Sequence, residues 1–284
     1  MSSVVGGPAL RARQQGEPIP LPPPTIVDMT DDDRKTTVPS AARTSPRLWP
    51  RPRGSAAAAI LAVEAAGLIV LLARTSHHVL LPITVDLPSR APGLADTTPR
   101  LQLELIDVGV AAVVVLLLVA VARLVPPHRT ARWTESALVS SITVFLVAQI
   151  NGITDIGALV AIYGLTSAMV LFSVLQERTE VWRGHPMLPL GFGAAVGVVP
   201  WGIIAFHQIG AGIVGDPPTL IVRVLTLVML AAAIVFGVTQ WRELRGAQLE
   251  FEASRGEGIH VMVSVVAASA FAWLVVLGVV LKAL

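Results

Sequence analysis

Long apolar runs follow one another along most of this chain, and short polar segments separate them. The runs begin near residue 55, and each has roughly the 17 to 25 residues that a helix needs to cross the apolar part of a bilayer. Such runs are too long to be core helices of a soluble domain. The pattern predicts seven membrane-spanning helices, over residues 55–72, 103–124, 135–153, 156–175, 188–213, 220–241 and 259–281.

The composition agrees with a protein that lies in a lipid bilayer. Of the 284 residues, 54% are hydrophobic and 14% are charged, and the mean hydropathy is +0.71. The predicted fold class is therefore all-α, an integral membrane bundle of seven transmembrane helices. The net charge is only +2, and the arginines are scattered through loops and the N-terminal segment. Nucleic-acid binding is not indicated.

Residues 1–54 have a different character from the rest of the chain. They hold ten of the 21 prolines, the run Pro22-Pro23-Pro24 and the acidic triplet Asp31-Asp32-Asp33. This composition predicts a disordered tail, followed by a transmembrane domain over residues 55–284. No signal peptide is readable before residue 55, so we expect the first helix to be an uncleaved anchor. The proline-rich tail is a candidate surface for a cytoplasmic partner protein.

The distribution of positive charge predicts the orientation of the chain. Twelve arginines lie in residues 43–53, next to the first helix, and in the loops on that side of the bundle, Arg123 among them, whereas four arginines and Lys282 lie on the other side. Positively charged loops stay in the cytoplasm. We therefore expect a multi-pass protein of the plasma membrane with a cytoplasmic N-terminus and an extracellular C-terminus.

Cysteine and histidine usage excludes several kinds of site. The chain has no cysteine, which excludes disulfides, thiol catalysis and thiolate metal ligands. The pair His77-His78 and the isolated His207 and His260 lack a second cluster at metal-ligand spacing, so no metal site is expected. No span pairs acids with histidines as a hydrolase or a proton relay does, and we do not expect an enzyme.

Several separate motifs, which span Ala62 to Trp273, carry a family resemblance. The seventh span has an acid, a histidine, a serine and a tryptophan at characteristic spacing, namely Glu257, His260, Ser264 and Trp273. The third span opens with an Arg-Trp-x-Glu motif at Arg132 to Ser136, and the fifth contains a Gly-x-x-Pro-Trp run at Gly197 to Trp201. The sequence resembles heliorhodopsins, seven-helix relatives of microbial rhodopsins with inverted topology. The resemblance implies a homodimer and a long loop after the first helix that folds partly as β-strand.

One family landmark is absent from the seventh span. Members of the family hold retinal as a Schiff base on a lysine, and the resemblance places Ala268 at that position. A Schiff base needs a primary amine, and the chain has only Lys35 and Lys282. Lys282 is roughly 21 Å beyond Ala268 along a helix with a rise of about 1.5 Å per residue. We expect no covalent retinal.

Remnants of a chromophore pocket are the next candidates. The resemblance makes Glu135 the equivalent of the carboxylate that serves as counterion to the Schiff base. Without that cation, burial favours a neutral acid, whereas Arg132, one turn earlier, could hold Glu135 ionised. The alternative is an ordinary interfacial glutamate at a helix end. Ser264, one turn before Ala268, and Trp201 are candidate pocket residues.

Two further acids lie in or beside the spans. Glu64 is near the middle of the first span, where a charge is costly, so it must face the bundle or be protonated. It is either a proton-accepting or ligand-binding group or, the interpretation we favour, a neutral acid hydrogen-bonded to a neighbouring helix. Asp155 directly precedes the fourth apolar run and is predicted to cap that helix.

A small-residue motif in the fifth span leaves two interpretations open. Gly193 and Gly197 are four residues apart, a spacing that lets helices approach closely. The motif is compatible with a homodimer interface and equally with packing inside one bundle.

Two functions remain in competition. In the first, the protein is a non-pumping sensor or scaffold that acts through a partner protein or a small apolar ligand. In the second, it is a photoreceptor that binds retinal noncovalently, because alanine in place of lysine would leave an apolar space.

Overall fold

The computed structural model describes residues 52–86, 100–125, 129–177, 187–246 and 253–284. The tail predicted for residues 1–54 lies outside the described residues except for its last three, which form the first turn of a helix that begins at Pro52. Lys35 and the predicted partner surface of the tail are therefore also outside the described part.

Seven helices and one two-stranded sheet form the described chain. In chain order they are α1 Pro52–Arg74, β1 Leu80–Asp86, β2 Arg100–Asp107, α2 Val108–Leu124, α3 Arg129–Ile150, α4 Ile156–Glu177, α5 Leu188–Ile213, α6 Leu220–Gly246 and α7 Ala253–Val280. Among the described residues, six of the helices contain a stretch long and apolar enough to cross a membrane, and α2 is a shorter apolar helix of 17 residues. Seventeen residues rise about 25 Å, the lower limit for a span. The predicted all-α seven-helix membrane bundle is confirmed.

The predicted second span was wrong at its start. Residues before Val108 form β2, which pairs antiparallel with β1 from Leu80↔Asp107 to Asp86↔Arg100. Leucines at 101, 103 and 105 alternate with Gln102 and Glu104, the two-residue period of a strand. Asp107 then starts α2 by accepting a hydrogen bond from the backbone N–H of Val110 at 3.0 Å. The hairpin agrees with the partly β-stranded loop that the resemblance implied.

The hairpin marks one end of the bundle, which we call the hairpin end. The backbone N–H of Thr84 in β1 donates to the carbonyl of Thr154, in the turn between α3 and α4, at 2.8 Å. Asp155 in the same turn accepts from the N–H of Ala158 at 2.9 Å, which confirms the predicted cap of α4. The sheet is therefore fixed against α4 as well as joined to α1 and α2.

The core lies between the helices, and large apolar side chains also point away from it. Leu61, Leu116 and Phe271 have no exposed surface, and they belong to one apolar cluster shared by α1, α2 and α7. Val63 and Phe206, by contrast, are 73% and 76% exposed. Apolar side chains on both the inner and the outer surface are what a helix bundle in lipid requires.

The small-residue motif of α5 packs inside the bundle. A Cβ atom at Gly197 would lie 2.3 Å from Sδ of Met169, and one at Gly193 would lie 3.1 Å from Cβ of Phe172; both neighbours are on α4. Gly193 and Gly197 are buried. The glycines therefore bring α4 and α5 together, and they give no support to a homodimer.

Candidate functional site

An ion pair joins the end of α2 to the beginning of α3. Nη2 of Arg123, in the last turn of α2, donates to Oε1 of Glu135. The side chains are only 9% and 10% exposed. Because a charge removed from water is costly without a partner, each of these two groups requires the other. The pair places a fixed positive charge on the carboxylate that sequence analysis selected as counterion-like.

The described partner of Glu135 lies on another helix. Sequence analysis left open whether Glu135 is neutral or is held ionised by Arg132, whose side chain lies outside the described residues. Sequence analysis assigned Arg123 to the loop charges, because a partner on another helix cannot be found from the spacing along one helix. The available signal was its position: Arg123 ends α2, and α3 begins at Arg129. Residues at the facing ends of two consecutive antiparallel helices are close in space.

Ala268 lies in the interior of α7. It is 5% exposed and belongs to the apolar cluster that also contains Phe271 and Ala272. Ser264, one turn earlier, is half-buried. Trp201 of α5 is half-buried and packs against the same apolar cluster. The structure therefore places Ala268 and Trp201 in one apolar core, while the described contacts of the Glu135 carboxylate join it to Arg123.

Among the described residues, no amine that could hold retinal covalently lies inside the bundle. Lys282 is the only lysine among the described residues. It is exposed, follows the end of α7, and has a left-handed backbone with φ of 51°. A Schiff base requires a primary amine inside the bundle, and Ala268 has only a methyl group there.

Glu64 lies on the core-facing side of α1. It lies between Leu61 and Leu68, one turn away in either direction, and both leucines have no exposed surface. Oε2 of Glu64 is buried and has no hydrogen-bond partner among the described residues. The hydrogen bond to a neighbouring helix that sequence analysis favoured is therefore not made by this oxygen.

A buried polar cluster near the hairpin end was missed by sequence analysis. Nδ2 of Asn151 donates to Oγ1 of Thr226 at 2.9 Å. Nε2 of Gln208 donates to Oδ1 of Asn151 at 2.6 Å and to the same threonine oxygen at 3.2 Å. The three residues fix α3, α5 and α6 to one another. No local motif signals the cluster, because its members are far apart in sequence.

The comparison with known families agrees with this architecture. The family model described as Heliorhodopsin matches residues 123–280, more than half of the chain. The matched range begins at Arg123 and includes Glu135, Ser264 and Ala268. No curated protein matches the chain. The family match and the apolar helices together show that this chain is a rhodopsin-like, multi-pass membrane protein that belongs to the heliorhodopsin family.

Proposed function

We propose that this protein is a heliorhodopsin that carries no covalent retinal and acts as a non-pumping sensor or scaffold, through a partner protein or a small apolar ligand. The pair of Arg123 with Glu135 carries the proposal. The family resemblance makes Glu135 the equivalent of a carboxylate that neutralises the protonated Schiff base in retinal-binding members. Here an arginine of α2 supplies the positive charge instead.

The chemistry of arginine supports a role without proton pumping. A guanidinium stays protonated at any physiological pH, whereas a Schiff base can release its proton. A carboxylate held by such a permanent cation has no proton to exchange with its partner. The ion pair is therefore suited to holding α2 and α3 together. The proposal assigns the protein no enzymatic activity.

The orientation of the protein in the plasma membrane and its partners are part of the same proposal. The charge asymmetry supports a cytoplasmic N-terminus and an extracellular C-terminus in the plasma membrane. The proline-rich segment would then face the cytoplasm and could bind a partner protein there. A homodimer is proposed from the family resemblance alone, since Gly193 and Gly197 pack against α4.

An absorption spectrum tests the proposal. The purified protein is mixed with all-trans retinal, and the Ala268→Lys variant is treated in the same way. Val266→Lys is the matched control, because Val266 lies on the same helix but is 60% exposed. We expect no red-shifted band in the wild type or the control. We expect a coloured, borohydride-trappable adduct in Ala268→Lys.

Two other outcomes would change the conclusion. A red-shifted band in the wild type would make the protein a photoreceptor with noncovalently bound retinal and would contradict the proposal. A correctly folded Ala268→Lys variant that stays colourless would show that no chromophore pocket persists around Ala268.

A further inference from the structure

A histidine–aspartate pair bridges the two ends of the hairpin. Nδ1 of His78, between α1 and β1, lies 2.9 Å from Oδ2 of Asp107, the last residue of β2. The two residues are 29 positions apart in the sequence. Among the described residues it is the only ion pair at the hairpin end, since the other described pair joins Arg123 to Glu135 at the opposite end of α2. The pair therefore holds the segment after α1 against the start of α2.

The two carboxylate oxygens of Asp107 have different partners. Oδ1 accepts a hydrogen bond from the backbone N–H of Val110 at 3.0 Å and so caps α2, while Oδ2 faces His78. The side chain of Asp107 is 22% exposed, whereas that of His78 is 54% exposed. The carboxylate is therefore fixed by the helix that it caps, and the imidazole can exchange protons with the surrounding water.

Residues 75–78 depend on this pair for their attachment to α2. Before them, α1 packs closely on the first turn of α2, because a Cβ atom at Gly109 would lie 2.9 Å from Cδ2 of Leu72. After them, β1 is fixed by its pairing with β2. Neither of these contacts involves a group that titrates. Among the described hydrogen bonds of residues 75–78, the bond of His78 with Asp107 is the one that reaches the start of α2.

Other titratable or charged side chains lie at the hairpin end, but none of those described forms an ion pair with His78 or Asp107. They are Arg74, His77, Glu104, Asp155, His207, Asp216, Arg223 and Lys282. Arginine, lysine and carboxylate side chains ordinarily keep their charge between about pH 5 and pH 8, so histidine is the residue type whose charge changes there. Of the two histidines in residues 75–78, His78 is the one that faces a carboxylate.

We propose that the His78–Asp107 pair is a pH-sensitive attachment of residues 75–78 to the start of α2. A protonated imidazole attracts a carboxylate and also donates a hydrogen bond to it, whereas a neutral imidazole can only donate. The attachment should therefore be strongest below about pH 6 and weaken as the pH rises toward about 8. The inference goes beyond the proposed function and does not rest on it. With the proposed cytoplasmic N-terminus, α1 ends outside the cell, and the attachment would respond to the external pH.

The test is the mobility of a spin label on residues 75–78 of the full-length protein in lipid nanodiscs, where both ends of the bundle meet the buffer. The chain has no cysteine, so Ser76→Cys creates a single labelling site, and Ser76 is exposed. Electron paramagnetic resonance separates the immobile label of an attached segment from the mobile label of a detached one. From about pH 5.5 to about pH 8, the ratio of mobile to immobile label should rise about two- to fivefold, the effect of losing the attraction within an exposed pair.

Three variants of the Ser76→Cys protein identify the groups responsible. His78→Gln keeps a hydrogen-bond donor but cannot gain a charge, so it should abolish the pH dependence. Asp107→Asn should do the same, because asparagine still caps α2 but carries no charge. His77→Gln is the matched control, since the described hydrogen bond of residue 77 is from its backbone N–H to Oγ1 of Thr75, at 3.4 Å. It should respond to pH as the Ser76→Cys protein does.

Two results would overturn the proposal. One is the same label mobility at both pH values in the Ser76→Cys protein, a result that needs no further variant. The other is a pH response that persists in His78→Gln, which would assign the titration to another group. Thermal unfolding of each variant, followed by circular dichroism, shows that it is folded before its spectrum is compared. The measurement uses no retinal, so the absorption test can succeed or fail without changing its outcome.

Discussion

Arg123 at the end of α2 pairs with Glu135 near the start of α3, and both side chains are about nine-tenths buried. Their helices are consecutive, so the pair closes the connection between them with a charged contact. The family resemblance makes this carboxylate the equivalent of the counterion to a retinal Schiff base. In this structure its described partner is Arg123 instead.

The first prediction concerns the cost of breaking this pair. Arg123→Met or Glu135→Leu alone should lower the free energy of unfolding by about 3–5 kcal/mol, because each leaves the other charge buried without a partner. The double variant should be much closer to the wild type, since two apolar side chains replace two charges. Thermal unfolding in detergent, followed by circular dichroism, measures all three variants.

Arg242→Met is the matched control, because Arg242 is exposed near the end of α6. It should change stability by less than about 1 kcal/mol. Additive losses in the Arg123 and Glu135 double variant would show that the two side chains do not depend on each other.

The second prediction concerns the polar cluster of α3, α5 and α6. Thr226→Val keeps the shape of the side chain but removes the oxygen that accepts from Asn151 and Gln208. The buried amide of Asn151 and the half-buried amide of Gln208 each lose a partner, so the variant should lose about 1–3 kcal/mol of stability. Thr226→Ser retains the oxygen and should lose less.

Thr239 offers a control on the same helix. Its Oγ1 donates to the carbonyl of Phe236, one turn earlier on the same helix, at 2.8 Å. Thr239→Val should therefore have a small effect on thermal unfolding. Equal losses for Thr226→Val and Thr239→Val would contradict a role of the cluster in joining helices.

Sequence periodicity was sufficient for elements that are uniformly apolar. The predicted fifth span, residues 188–213, coincides with α5 Leu188–Ile213. The prediction of the second span failed where a segment was apolar enough for a membrane helix but its residues alternated with the two-residue period of a strand. Leu103 and Leu105 are apolar enough to extend the second span, but they alternate with polar residues in β2, and only the period separates a strand from a helix there.

The sequence selected candidate residues for the site but did not predict their contacts. The family resemblance selected Glu135 and Ala268, and both lie within the matched range. The partner Arg123 depends on how two helix ends face each other, and spacing along one chain does not determine that. The same reason explains why Asn151, Gln208 and Thr226 were missed, since their contact exists only after three helices have packed.

The third prediction concerns the contact of α4 with α5. Gly197→Ala places a methyl group on Met169, which must move, so the variant should lose about 1–3 kcal/mol of stability. Gly202→Ala on the same helix has nothing within 4 Å of the new Cβ. It should gain up to about 1 kcal/mol, because alanine is the better helix former.

Oligomeric state is measured on the same two glycine variants, by size-exclusion chromatography with light scattering. If Gly193 and Gly197 only pack against α4, neither variant should change the oligomeric mass of the protein. A dimeric wild type that becomes monomeric in Gly197→Ala with unchanged thermal stability would restore the interface interpretation of the motif.

The last prediction concerns Glu64, whose Oε2 is buried beside Leu61 and Leu68 without a hydrogen-bond partner among the described residues. Burial of an unsatisfied polar group opposes folding, so Glu64→Leu should raise the free energy of unfolding by about 1–3 kcal/mol. Val63→Leu, on the exposed side of the same turn, should have almost no effect on the same thermal unfolding curve. A loss of stability in Glu64→Leu would instead contradict an unsatisfied carboxyl group and would favour a binding role for Glu64.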